Sequence, residues 1–160
     1  MEFEFDYNYN KKGVCSCGSL RYRRKDNPMF VNACHCNLCK QQIGSTFITN
    51  AFIENSNFKV TNGKLKSHQG SVGSGNPYEV DRCKECSVAI ISYYWEQRNL
   101  GVVKVGTLDQ AGKFPPNTHL FVKNKVSWLE IPKGILTFQE KYDIDSTWRK
   151  ESLQRLKNGK

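Results

Sequence analysis

Seven cysteines in three short groups constrain this chain more than any other feature. Cys15 and Cys17 stand in a Cys-x-Cys-Gly run, Cys34, Cys36 and Cys39 crowd the stretch ACHCNLCKQQIGS, and Cys83 and Cys86 form a Cys-x-x-Cys pair. An odd number at these spacings suits metal chelation better than disulfides, and it points to a reducing compartment. The expected location is the cytoplasm, with the nucleus as a second place.

Cys15, Cys17, Cys83 and Cys86 are two halves of a four-thiolate arrangement and together would close a tetrahedral structural zinc site. An iron–sulfur cluster takes the same donors, and ordinary buried cysteines are the bland alternative. Cys34, Cys36 and Cys39 then have no cysteine left to complete a second set. Three protein ligands and one free position mark a catalytic or ligand-exchanging zinc. His35 sits between two of the three, but adjacent residues of an extended loop point opposite ways. Its expected role is a hydrogen bond from behind the site, and a redox Cys36–Cys39 pair is the competing reading of the group.

The 160 residues fit one domain, 1–160, and the 38% apolar content allows a modest core. Period-two and β-branched runs at 45–53, 58–61, 88–95, 102–106 and 119–131 predict a mainly β protein. Turns are expected at Gly18, Asn62-Gly63, 70–77 and 114–117. A short helix is expected after Cys39, ending at Gly44. A C-terminal helix is expected over 145–157, strongest from Thr147 to Leu156, capped by Asp145 or Ser146 and packing loosely. The N-terminus is acidic and aromatic, unlike a secretory signal, and no run is long and apolar enough to cross a membrane.

The formal charge is +9. Lys11, Lys12, Arg21, Arg23, Arg24 and Lys25 form a basic run that would attract phosphates or a small acidic substrate if it made one face. Lys40 and Arg82, each beside a cysteine, are candidates to pair with substrate carboxylates.

The order Cys-x-Cys-Gly, Cys-His-Cys-x-x-Cys with Gly-Ser following, then Cys-x-x-Cys, resembles the glutathione-dependent formaldehyde-activating enzymes and their relative, centromere protein V. The stretch PPNTHLFVKNKVSWLEI resembles the family's Pro, His and Trp segment, so the likeness runs from about Gly13 to Phe138. The resemblance implies a β-tent fold and two zinc ions per chain, a structural one on Cys15, Cys17, Cys83 and Cys86 and an active-site one on Cys34, Cys36 and Cys39. It implies a carbon–sulfur lyase reaction, the reversible addition of glutathione to formaldehyde giving S-hydroxymethylglutathione. His35, close in sequence to the cysteines, is the first candidate for proton transfer and His119 a second. Ser87 departs from the pattern, since the family commonly has glycine after the last cysteine. A second reading, a zinc-stapled module whose basic run contacts nucleic acid, chromatin or an acidic filament, ranks below the enzyme. A thiol reductase ranks third.

Overall fold

The structure, a computed structural model, describes residues 11–71, 77–94 and 97–159. Most of the turn expected at 70–77, the end of the 88–95 run and the first ten residues lie outside them.

The chain is mainly β. Strands β1 (Lys12–Val14), β2 (Arg21–Arg24) and β5 (Phe58–Asn62) make an antiparallel sheet in the order β1-β2-β5. The larger sheet joins β3 (Phe30–Cys34), β4 (Ile48–Glu54), β6 (Leu65–Ser71), β7 (Pro77–Cys83), β8 (Ala89–Tyr94), β9 (Gln97–Lys104), β10 (Thr118–Leu120) and β11 (Leu136–Thr137). Its order is β11-β10-β3-β4-β9-β8-β7-β6, with β10 parallel to both β3 and β11 and the other pairs antiparallel.

The main core unites residues of both sheets. Leu20 and Tyr22 belong to it with Val31, Ala51, Ile53, Ile91 and Val103 from the larger sheet. Gly13 is required there, because a Cβ on it would stand 2.2 Å from the Tyr22 ring and 2.6 Å from the Thr107 carbonyl.

A second cluster covers part of the opposite face of the larger sheet. Met29, Phe30 and Trp148 are buried together, with Phe52, Leu100, Tyr142, Leu153 and Leu156 against them. This corrects the loose packing expected of the C-terminus. Trp148 stacks on Phe30 at 5.1 Å and meets Phe52 edge-on at the same distance. The expected single helix is also broken in two. The short α2 (Ile144–Thr147) is capped by Asp143, whose side chain accepts the Ser146 N–H, rather than by Asp145 or Ser146. Trp148 is extended, and α3 (Lys150–Asn158) starts after it. Burying the indole between Phe30 and Phe52 takes the chain out of helical register. We expect Trp148→Ala to lower stability by about 3 kcal/mol or more, read as a fall in melting temperature, because a large core ring is lost.

The expected strand at 119–131 is likewise corrected to β10 alone. Phe121 turns left-handed at φ 54, one turn of 3-10 helix follows over Val122–Asn124, and the Phe121 and Val122 amides donate to Glu140 and Phe138. The basic run divides: Lys12, Arg21 and Arg23 line one surface groove with Lys59 and Asp109, and Arg24 turns the other way. Arg24 is buried over the Phe114 ring, 4.9 Å from its centroid, and Arg21 pairs with Asp109 at 3.2 Å. Among the described residues no helix is long and apolar enough to cross a membrane.

Candidate metal centre

Two hairpin tips build the four-cysteine group. At the first, Gly18 (φ 76) donates its N–H to the Cys15 carbonyl and the Cys15 N–H bonds Leu20, folding Cys15 and Cys17 to one side. At the second, Ser87 donates to the Cys83 carbonyl and the Cys83 N–H bonds Val88, which does the same for Cys83 and Cys86. Ser87 accepts the left-handed conformation at φ 61 that glycine would adopt without strain, and Arg82 holds its carbonyl at 2.9 Å. The turn therefore survives the departure at that position.

All four sulfurs lie within 4.8 Å of one another and could hold a metal ion. Sulfurs placed tetrahedrally at zinc–thiolate bond lengths are about 3.8 Å apart. The Cys15–Cys17 and Cys17–Cys83 separations are 3.4 and 3.9 Å, so the donor set fits that ion. Donors to sulfur lie around it. The Leu20 N–H donates to the Cys15 sulfur, and the Ser19 hydroxyl lies 3.0 Å from Cys17 and 3.4 Å from Cys83. The backbone amide of Val88 is the leading cause that brings Cys86 down to about 5.

The second group sits where β3 runs into α1 (Asn37–Ile43). Cys34 ends the strand, Cys36 caps the helix by accepting the Cys39 N–H at 3.3 Å, and Cys39 lies in its first turn. The helix thus begins two residues before Cys39, earlier than expected, because the cap is a cysteine. Gly44 ends it at φ 62. The three sulfurs also lie within 4.8 Å of one another and could hold a metal ion. With their protons still on, Cys34 and Cys39 donate to Cys36, which holds Cys36 far below the ordinary thiol range and raises Cys34. A thiolate at Cys36 would also receive the amide N–H of Cys39 at the start of the helix.

His35 turns away from these sulfurs. It is fully buried, its Nε2 is 2.8 Å from Nδ1 of His119, and the two rings stack with Phe47 at 5.3 Å from His35. Burial pulls His35 down to about 4 and lowers His119 too, so the pair is neutral at pH 7. Neither imidazole joins the groups that could hold a metal.

Of the expected substrate contacts, Lys40 donates to the Asn124 carbonyl at 2.8 Å and ties α1 to the loop after β10. Arg82 lines a cavity of about 650 Å³ with Gln42 and Ile43 of α1, Cys86, Ile48 and Lys104. Of the seven cysteines only Cys86 lines it. Lys104 is a site residue that the sequence reading missed. It is buried, it donates to Asn50 Oδ1 at 3.0 Å and Ser92 Oγ at 2.7 Å, and burial brings its ammonium down to about 8 against the pull of Cys39 and Cys34. Ser19 was missed as well.

Comparison with known proteins gives a family match and a solved structure to which the chain is similar. The family model described as glutathione-dependent formaldehyde-activating enzyme matches residues 10–124, which include all seven cysteines, Lys104 and His119. No curated protein matches the chain. Among solved structures, the crystal structure of a Rhodobacter sphaeroides protein is 16% identical and covers 79% of this chain and 98% of its own, with a TM-score of 0.48. The family match lends no support to the binding-module reading. Because the family match takes in both cysteine groups and well over half of the residues, the chain belongs to the glutathione-dependent formaldehyde-activating enzyme family.

Proposed function

We propose that this protein is a two-zinc enzyme of the carbon–sulfur lyase type, joining glutathione to formaldehyde reversibly as S-hydroxymethylglutathione. The family supports glutathione and formaldehyde as small-molecule substrates. The observation that carries the finer reading is the group of three sulfurs on a half-buried helix cap, beside a second group of four that is already complete.

Cys15, Cys17, Cys83 and Cys86 would hold the structural ion, and Cys34, Cys36 and Cys39 the active-site ion. Zinc in the second place would supply a position where a fourth sulfur donor ionises near neutral pH. A thiol with pKa about 8.5 is only a few per cent ionised at pH 7, so full ionisation contributes a factor of about thirty. The remainder must come from holding the two reactants together. We assign that task to the cavity beside α1, where Arg82 in its wall meets one glutathione carboxylate, and to Lys40 on the same helix, which meets the other. The glutathione sulfur forms a bond to the formaldehyde carbon, the carbonyl π pair moves to oxygen, and that oxygen takes a proton from solvent. His35 positions the loop: bonded to His119 on one side of the strand, it keeps Cys34 and Cys36 on the other. We place the reaction in a reducing compartment, the cytoplasm, where the seven cysteines stay reduced and able to hold zinc.

Exchange between formaldehyde and its glutathione adduct, followed by magnetisation transfer, tests this reading. The zinc-loaded protein is expected to accelerate exchange above the buffer rate in proportion to its concentration, and Cys36→Ser to return it to that rate. Equal rates with and without protein would reject the enzymatic reading.

A further inference from the structure

Lys104 ends β9 opposite Asn50 of β4, and Asn50 stands opposite Asn32 of β3. Alternate residues of a strand share a face, so Cys34, two places beyond Asn32, lies on the same side of the sheet as this row. The Lys104 side chain is only 6% exposed. Its two hydrogen-bond acceptors, Asn50 Oδ1 and Ser92 Oγ, are uncharged, and among the described residues no carboxylate pairs with it. An ammonium has three N–H groups, so one is left over.

The acceptors are themselves fixed in place. Asn50 donates its amide to Asn32 Oδ1 at 3.3 Å, and Asn32 donates to the Tyr142 hydroxyl at 2.9 Å. A buried cation without a countercharge is strongly unfavourable, and neutral acceptors alone do not offset it. Cys39 and Cys34 are the groups able to bear negative charge that act on Lys104, and they take that charge when they give up their protons to a metal. Three thiolates around a divalent metal carry a net charge of −1, and an anionic fourth donor makes it −2. The positive charge absent from that group is present, buried and anchored, on the same sheet face.

We propose that the Lys104 ammonium is the counter-cation of the three-cysteine centre, setting how tightly Cys34, Cys36 and Cys39 hold a divalent metal. This rests on the reading that those three cysteines are ligands. Lys104 acts through the cluster and is a positioning residue. It also explains why a strand position that alternation would fill with an apolar side chain carries a lysine, since Val102 and Val103 beside it are fully buried.

The test is competitive titration of zinc with a chromophoric chelator on the full chain, reading both affinities, with thermal melts alongside. Lys104→Met removes charge and hydrogen bonds, Lys104→Gln removes the charge but keeps a donor, and Lys104→Arg keeps the charge. In Met and Gln variants the weaker affinity is expected to fall at least tenfold, about 1.4 kcal/mol, while the tighter one stays unchanged. The Arg variant is expected to retain most of the weaker affinity. The proposal fails if the Gln variant binds both ions as the parent does, or if both affinities fall in step with melting temperature. Should the Met variant not fold, the Gln variant decides. A parent that takes up one zinc ion would remove the two-site reading and this inference with it, an outcome distinct from a charge-independent second site.

Discussion

Cys83→Ser is expected to abolish the cooperative thermal transition or lower its midpoint by more than about 10 °C, whereas Cys36→Ser stays within a few degrees of the parent. A structural zinc site contributes free energy on the scale of the whole stability of a domain. For a chain of this size each kcal/mol moves the midpoint by about 2–4 °C, so losing five or more is plain in a melt. Cys83 lies at the end of β7, 1% exposed, and its group joins the hairpin tip after β1 to the β7–β8 tip of the other sheet. Without it two distant segments lose their link. Serine at that position also buries a hydroxyl in place of a sulfur.

Cys36 differs in every respect. It is half-buried, its group spans six consecutive residues, and its folding role is to cap α1 by accepting the Cys39 N–H. Serine is among the best residues for that task, so the helix start survives the exchange. Circular dichroism and melts of the two zinc-loaded variants decide the matter. Equal losses would refute the division into a structural and a functional group.

What the sequence made readable depended on whether the signal was local. The cysteine groups and the helix stop at Gly44 are local patterns, and the structure brings the sulfurs together as the spacing implied. Strand β3 was missed because all five residues of FVNAC are buried and the run shows no alternation. Strands β6 and β7 were missed because LKSHQGS and PYEVDRC are polar, with pairing to each other and to β8 holding them extended. The break at Trp148 follows from Phe30 and Phe52, which lie about a hundred residues away in the chain, and no local propensity reports them. Lys104 was hidden for the same reason. A lysine in VVKVG reads as the solvent side of a strand, and only the folded chain shows both faces covered, with Val103 and Lys104 both buried. The His35–His119 bond needed β10 beside β3 in parallel, a pairing that sequence periodicity does not specify.

Glutathione is expected to bind the zinc-loaded protein at least a hundredfold more tightly than S-methylglutathione and to release close to one proton per molecule bound. A zinc ion held by Cys34, Cys36 and Cys39, which could hold a metal, would have one tetrahedral position left for a donor from outside. A thiol can ionise to fill it, whereas a thioether cannot and is a poor donor beside three thiolates. Both ligands carry the same carboxylates, so the contacts assigned to Lys40 and Arg82 cancel in the comparison and the sulfur alone makes the difference. The sign of the proton effect follows from the free thiol. With a pKa near 8.5 it is almost fully protonated at pH 7 and must lose that proton to bind as an anion, so apparent affinity should rise about tenfold per pH unit up to pH 8 and level off above it. Calorimetry in buffers of different ionisation enthalpy counts the proton directly. Cys36→Ser should erase the preference between the two ligands while leaving any weak binding through the carboxylates. Equal affinity for thiol and thioether in the parent, or binding without proton release, would mean that glutathione is held by its ends and that the three-cysteine group does not engage its sulfur.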